Sequence, residues 1–322
     1  MQCWKVGGGL FVRTIAVATF LLLYSCSGCT SGSANPAGPP DYPLRVLCTT
    51  GMIAEAVAAV GGRHVVVEQL MPPGVDPHLY RPTARDKWRI NAAQVVFYNG
   101  LHLEGRLEPL LVKRARFLPV YAVTEDLGAH MPECLRPLAE GGSLYDPHVW
   151  LDPVLWAECV KYIARRLAQL DPERATDYRA QAEQYLIAVS ELDRYARQQL
   201  GAIPPARRVL VTTHDAFGYF GRRYGLTVKS LQGLSTLDEI DLRSMNALIR
   251  ELVAEQIPAV FVESSVSPKA LQAVVAGCQA LGHRLRIGGE LYADCLGPPG
   301  SAGETFLGAF RWNVDTIVAA LR

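Results

Sequence analysis

From Leu44 onward the apolar residues follow two rhythms that alternate along the chain. Short β-branched runs stand at "LRVLCTT" (Leu44–Thr50), "HVVVEQL" (His64–Leu70), "AQVVFYNG" (Ala93–Gly100) and "FLPVYAV" (Phe117–Val123). Stretches with helical spacing, such as Met52–Val60 and Thr83–Asn91, lie between them. Near-continuous apolar runs of this length mark parallel strands covered on both faces, and their alternation with helices predicts an α/β layer structure. A second series begins after Arg207, with "RRVLVTTH", "TVKSL", "PAVFVES" and "HRLRIGG" as strands and a last helix over Thr305–Leu321. Two α/β lobes explain this pattern better than one continuous sheet.

The segment between the two series has a different rhythm. Asp171 is a suitable N-cap, Pro172 suits the first helical position, and no glycine or proline follows before Gly201. Tyr178, Ala182, Tyr185, Leu186, Val189, Leu192 and Tyr195 recur at helical spacing. Some 29 residues at about 1.5 Å each make a rod about 44 Å long, enough to tie two lobes together. Two shorter helices with a kink are the alternative.

The N-terminus reads as an export signal. Lys5 and Arg13 accompany the apolar run Ile15–Leu23, which is short for a membrane span, and Leu23-Tyr24-Ser25-Cys26 resembles a bacterial lipobox. Tyr24 is bulkier than that pattern prefers, so an ordinary cleaved signal or an uncleaved anchor stays open beside acylation of Cys26. The Gly/Ser/Pro-rich stretch that follows is a tether with nothing to pack. The expected organisation is therefore a signal over 1–25, a tether over 26–43, a first α/β lobe over 44–170, the linking helix over 171–203 and a second α/β lobe over 204–322.

Composition narrows the function classes. At 322 residues the chain is long enough for two domains, and 49% hydrophobic with 20% charged residues describes a globular protein. A formal net charge of +1 offers no footprint for nucleic acid. Apart from Cys26 and Cys29 beside the cleavage point, the eight cysteines contain no CxxC, and they fit neither a zinc ribbon nor a stapled mini-domain. One bridge using Cys134 or Cys295 remains open.

Histidine is scarce, seven in the chain, yet two stand in matching frames, "DPHLY" with His78 and "DPHVW" with His148. His214 follows the strand "VLVTT" directly. All three sit where a strand or loop yields to a helix, the place where α/β sheets bind ligands. Each has an acid nearby, Asp76, Asp146 and Asp215, and metal-bound imidazoles usually give their second N–H to such a group. A fourth ligand should be acidic and come from the second lobe, where the Gly-rich loop after the last strand offers Asp294, with Glu290 in reserve. His102 is expected beside the site or in its wall, whereas His64, His130 and His283 occupy other kinds of position. Neutral imidazoles predict metal affinity that falls as pH drops through about 6.5.

The stretches "GMIAEAV", "MPPGVDPHLYRPTARD", "YNGLHLE", "DPHVWLDP", "VLVTTHDAFGYFGRRYGL", "GLST", "VFVESS" and "IGGELYADCLG" resemble the solute-binding proteins of ABC importers for zinc and manganese. The resemblance runs from about Leu44 to Arg322. It implies two α/β lobes, one long linking helix and a metal buried between the lobes, held by His78 and His148 from the first and His214 and Asp294 from the second. It also implies an ABC permease in the cytoplasmic membrane as partner and a monomeric protein. Some manganese-importing relatives place glutamate where this chain has His214. Many zinc-dedicated relatives carry a His-rich loop that Thr124–Tyr145, with His130 alone, lacks. Three imidazoles and one carboxylate suit zinc and leave manganese or iron open.

Capture and delivery of a divalent ion is the leading expectation, with a surface adhesin or a zinc hydrolase as alternatives. Catalytic zinc keeps an open position beside three protein ligands, so four ligands argue against an enzyme, and no HExxH, GxSxG or P-loop is present.

Overall fold

A computed structural model of the chain describes residues 43–138, 144–237 and 241–322. The signal segment, most of the tether and Cys26 lie outside the described residues. The four apolar runs of the first half become β1 (Leu44–Cys48), β2 (Val65–Gln69), β3 (Val95–Tyr98) and β4 (Val120–Ala122), all parallel, in the order β2-β1-β3-β4. Helices α1 (Gly51–Gly61), α2 (Ala84–Ala92) and α3 (Glu108–Arg114) connect them, and α4 (Glu125–His130) follows. A capping box starts α2: Thr83 Oγ1 accepts from Asp86 N at 3.2 Å while Asp86 Oδ2 accepts from Thr83 N at 2.8 Å. That reciprocal pair satisfies two end donors and ends the loop that carries His78 at a fixed point.

Helix α5 (Pro153–Leu170) begins where the sequence predicts, with Pro153 at its first position and the Asp152 carboxylate accepting from Val154 N at 2.9 Å. The linking helix α6 (Ala175–Gly201) runs unbroken for 27 residues, about 40 Å at 1.5 Å per residue. Its start differs from expectation. Residues Pro172–Arg174 form a separate 3-10 turn, and the Asp171 side chain makes no cap hydrogen bond. Instead Asp171 is buried and accepts from Tyr178 Oη at 2.8 Å, because a proline-led tight turn rotates its carboxylate off the helix end.

The second lobe contains β5 (Val209–Thr212), α7 (Gly218–Tyr224), β6 (Thr227–Ser230), α8 (Leu242–Ala254), β7 (Ala259–Glu263), α9 (Lys269–Ala280), β8 (Arg286–Leu291) and α10 (Phe306–Leu321). All four predicted strands form, but as two parallel pairs, β5-β6 and β7-β8, with β5 lying beside β7.

Helix α6 packs on α1 and α5 from the first lobe and on α7 and α10 from the second. Tyr178, Ala182, Tyr185, Val189, Leu192, Ala196 and Leu200 line its buried stripe. One apolar cluster runs without interruption from Val46 and Met52 through Trp156 and Leu192 to Phe220, Phe310 and Leu321. Smaller cores lie within each lobe, around Ile90 and Leu111 in the first and around Leu252 and Val274 in the second. The lobes thus share a core as well as a tether.

Candidate metal centre

Each of the two Asp-Pro-His stretches folds into the same tight turn. Asp76 Oδ1 accepts from His78 N at 2.8 Å, and Asp146 Oδ1 accepts from His148 N at 3.0 Å. Aspartate closes its own backbone two residues on, and proline fixes the residue between, so the histidine side chain leaves the turn in a defined direction. His214 stands just beyond β5, and Asp294 lies in the loop beyond β8. Trp150 Nε1 donates to Ala293 O at 2.8 Å, which holds the Asp294 loop against the His148 turn.

These elements bring four side chains together. His78, His148, His214 and Asp294 are all buried, and one donor atom from each lies within 4.8 Å of the others. His148 Nε2 is 3.3 Å from His78 Nε2 and 3.4 Å from His214 Nε2. Asp294 Oδ2 stands 3.1 Å from His214 Nε2 and 3.5 Å from His78 Nε2, and Oδ1 stands 3.4 Å from His148 Nε2. A tetrahedron whose vertices lie about 2.0–2.1 Å from its centre has edges of about 3.3–3.4 Å, so this spacing fits a zinc-sized ion. Both Asp294 oxygens face the imidazoles and neither has a hydrogen-bond partner among the described residues. A fully buried carboxylate is costly unless positive charge stands beside it, and either protonated imidazoles or a cation at the centre supplies that charge.

The outer nitrogens are held by carboxylates. Asp146 Oδ1 is 2.7 Å from His148 Nδ1, and Glu263 Oε2 is 2.6 Å from His214 Nδ1. Both contacts favour Nδ1–H and leave Nε2 free to face the centre. Glu263 also spans the gap between the two strand pairs, its Oε1 accepting from Thr213 N at 2.8 Å and from His214 N at 3.0 Å. Burial lowers the His78 pKa to about 4 despite the Asp294 charge. Burial would lower His148 as well, but the Asp146 and Asp294 charges outweigh it and lift the pKa to about 9. His214 rises well above its usual value, burial being overcome by Asp294 and Glu263. Asp294 falls well below the carboxylate range, because the charges of His214 and His148 overcome its burial.

Four of the expected neighbours have other roles. Asp76 does not hold the His78 ring; besides the backbone turn, its Oδ2 accepts from Thr236 Oγ1 at 2.6 Å, a link to the second lobe. Asp215 faces away from the His214 ring and pairs with Arg136 at 3.2 Å, because the backbone turn after β5 directs adjacent side chains apart and leaves Nδ1 to Glu263. Exposed His102 lies outside the cluster, paired with Glu108 at 2.7 Å, its φ of 63° turning the side chain outward. Glu290 belongs to β8 itself, is exposed, and meets Trp312 only through its backbone oxygen at 2.9 Å, so the reserve ligand is not in the cluster. Cys134 and Cys295 are both free, and Cys295 Sγ accepts from Gly74 N at 3.3 Å. Sequence reasoning missed Glu263, although its place at the carboxyl end of a strand in "VFVESS" was a usable signal.

A two-lobe α/β scaffold that buries two donors from each lobe around one point defines a binding protein that clasps a small ligand. The chain belongs to the ZnuA family, zinc-uptake complex component A periplasmic, whose model matches residues 46–320. It is 42% identical over 308 residues to the manganese-binding lipoprotein MntA of Bacillus subtilis (strain 168), covering 96% of this chain and 99% of the relative. It is 39% identical over 310 residues to the zinc-binding protein TroA of Treponema pallidum (strain Nichols), covering 96% and 99%. The solved structure of periplasmic zinc-binding TroA from Treponema pallidum matches with a TM-score of 0.83 at 40% identity, covering 86% of this chain and 99% of that one.

Proposed function

We propose that this protein captures one divalent metal ion, zinc or manganese, outside the cytoplasm and delivers it as cargo to the permease of an ABC importer. The observation that carries the reading is the buried cluster of His78, His148, His214 and Asp294, whose donor atoms converge from both lobes on one point. The zinc-uptake family and the relatives named for manganese and zinc support it. The family is one of binding proteins, and four converging donors leave little room for the activated water a hydrolase needs. The lipoprotein name of MntA supports acylation at Cys26 and anchoring at the membrane surface. The protein works as a monomer, with the lobes at 44–170 and 204–322 joined by the segment over 171–203 that carries α6.

Metal content of natively purified protein, measured by mass spectrometry, tests the reading. Wild type should hold close to one equivalent of zinc or manganese, His148→Ala should hold almost none, and His102→Ala should match wild type. Absence of metal from wild type after incubation with both ions would sink the proposal and leave a scaffold or adhesin role.

A further inference from the structure

Arg136 is a charged side chain outside the four donors that touches both lobes at the site. Arg136 belongs to the first lobe, where its Nη1 donates to Asp146 Oδ2, the oxygen that His148 does not use. Its Nη2 donates at 3.2 Å to Oδ2 of Asp215, the residue after His214. Its backbone N–H donates at 3.0 Å to Tyr219 Oη, and that hydroxyl donates back to Asp146 O at 2.9 Å. The guanidinium also lies 5.9 Å from the centre of the Tyr219 ring.

The second lobe is shaped to admit this group. A Cβ placed at Gly218, the first residue of α7, would overlap the guanidinium, and nothing about that helical position demands glycine otherwise. The missing side chain is a seat for the fork. Arginine suits the position because a planar fork can serve two carboxylates at once in fixed directions. Its side chain keeps 30% exposure, so the fork can part from Asp215 without unpacking the shared core.

We propose that Arg136 is the positioning residue that locks the two halves of the metal centre together and slows release of the ion, with Asp215 and Gly218 as its receiving seat on the second lobe. The inference rests on the metal-binding reading given above. In this arrangement Asp146 connects the lock to the first-lobe ligand His148, and the Asp215 arm is the part that spans the lobes. Losing the Asp215 arm removes one of the contacts that hold the His214 turn against the His148 turn, and losing the Asp146 arm detaches the fork from the first-lobe ligand.

The test measures zinc dissociation by mixing loaded protein with excess chromogenic chelator, alongside thermal unfolding of the metal-free form. Outer contacts of metal ligands are typically worth roughly 10- to 100-fold in affinity. Arg136 acts one contact further out, through Asp146, so Arg136→Met should release zinc several-fold faster than wild type, with about 10-fold as the upper end. Asp215→Ala leaves the Asp146 contact in place, and Gly218→Ala fills the seat; both should accelerate release in the same direction. Release from Asp215→Ala and Gly218→Ala at the wild-type rate would overturn the interlobe lock, whatever Arg136→Met does. So would acceleration seen only in variants whose metal-free form melts earlier by a matching amount. Wild type that holds neither zinc nor manganese would overturn the metal-binding reading as well, whereas loaded wild type with unchanged variants would overturn the lock alone.

Discussion

Asp76 and Asp146 open the same turn and then diverge in what their remaining oxygen does. Asp76 spends it on Thr236 across the lobes, whereas Asp146 takes the Arg136 guanidinium and keeps its first oxygen on the His148 ring. The repeated Asp-Pro-His frame is thus one local device used for two settings of a histidine. The His148 setting has a consequence for pH. Protons and metal ions compete for the same Nε2, so affinity falls once pH drops below the pKa of the metal-free imidazole. With His148 lifted to about 9 and His214 raised as well, that fall begins well above the ordinary imidazole value near 6.5. His78, at about 4, contributes only in acid. Binding at pH 7 should therefore expel between one and two protons per ion, and apparent affinity should climb about tenfold per pH unit for each proton displaced up to pH about 9. Calorimetry in buffers of different ionisation enthalpy would check this; an ion that binds at pH 7 without releasing protons would contradict it.

At the scale of elements, the site depends on how helices and strands begin and end. Asp152 caps α5 directly after the short turn that bears His148, and it also meets Arg223 Nη1 of α7 at 3.1 Å. Arg223 grips Asp193 of α6 through two contacts of 2.7 Å, so one guanidinium near the end of α7 joins the start of α5 to the body of α6. Asp152→Ala should cost about 1–2 kcal/mol, the upper part of the range for a lost cap. Urea unfolding of the metal-free protein would measure it; a loss below a few tenths would show that water replaces the cap. Most elements here were legible in the sequence, because buried strands and the α6 stripe write their period directly into residue type. The three histidines were legible for the same reason, since each sits at the end of a recognisable strand or turn. What the sequence hid depends on side-chain direction. His102 and Asp215 lie next to the right residues yet point elsewhere, and Glu263 reaches the site from a strand far away in the chain. Arg136 is likewise invisible until the fold places Gly218 against it.

For the molecule as a whole, the apolar cluster running through both lobes limits how far they can move. Adding zinc to metal-free protein should raise its melting temperature through linkage while leaving the radius of gyration from X-ray scattering nearly unchanged. A compaction of several ångströms would mean that the lobes swing freely and that α6 does not restrain them. The same cluster also bears on how such a protein can be altered. Trp156 of α5 meets Phe306 of α10 across the junction, and Phe306 meets Phe310 on the same helix, in tilted contacts with ring centres 5.3 Å and 6.0 Å apart. A chimera that took one lobe from a relative would inherit one side of that aromatic contact and have to match the other side residue by residue. Exchanging whole lobes is therefore a poor route to a different cargo, and the workable route is point substitution around the four donors, where a change need not disturb the seam.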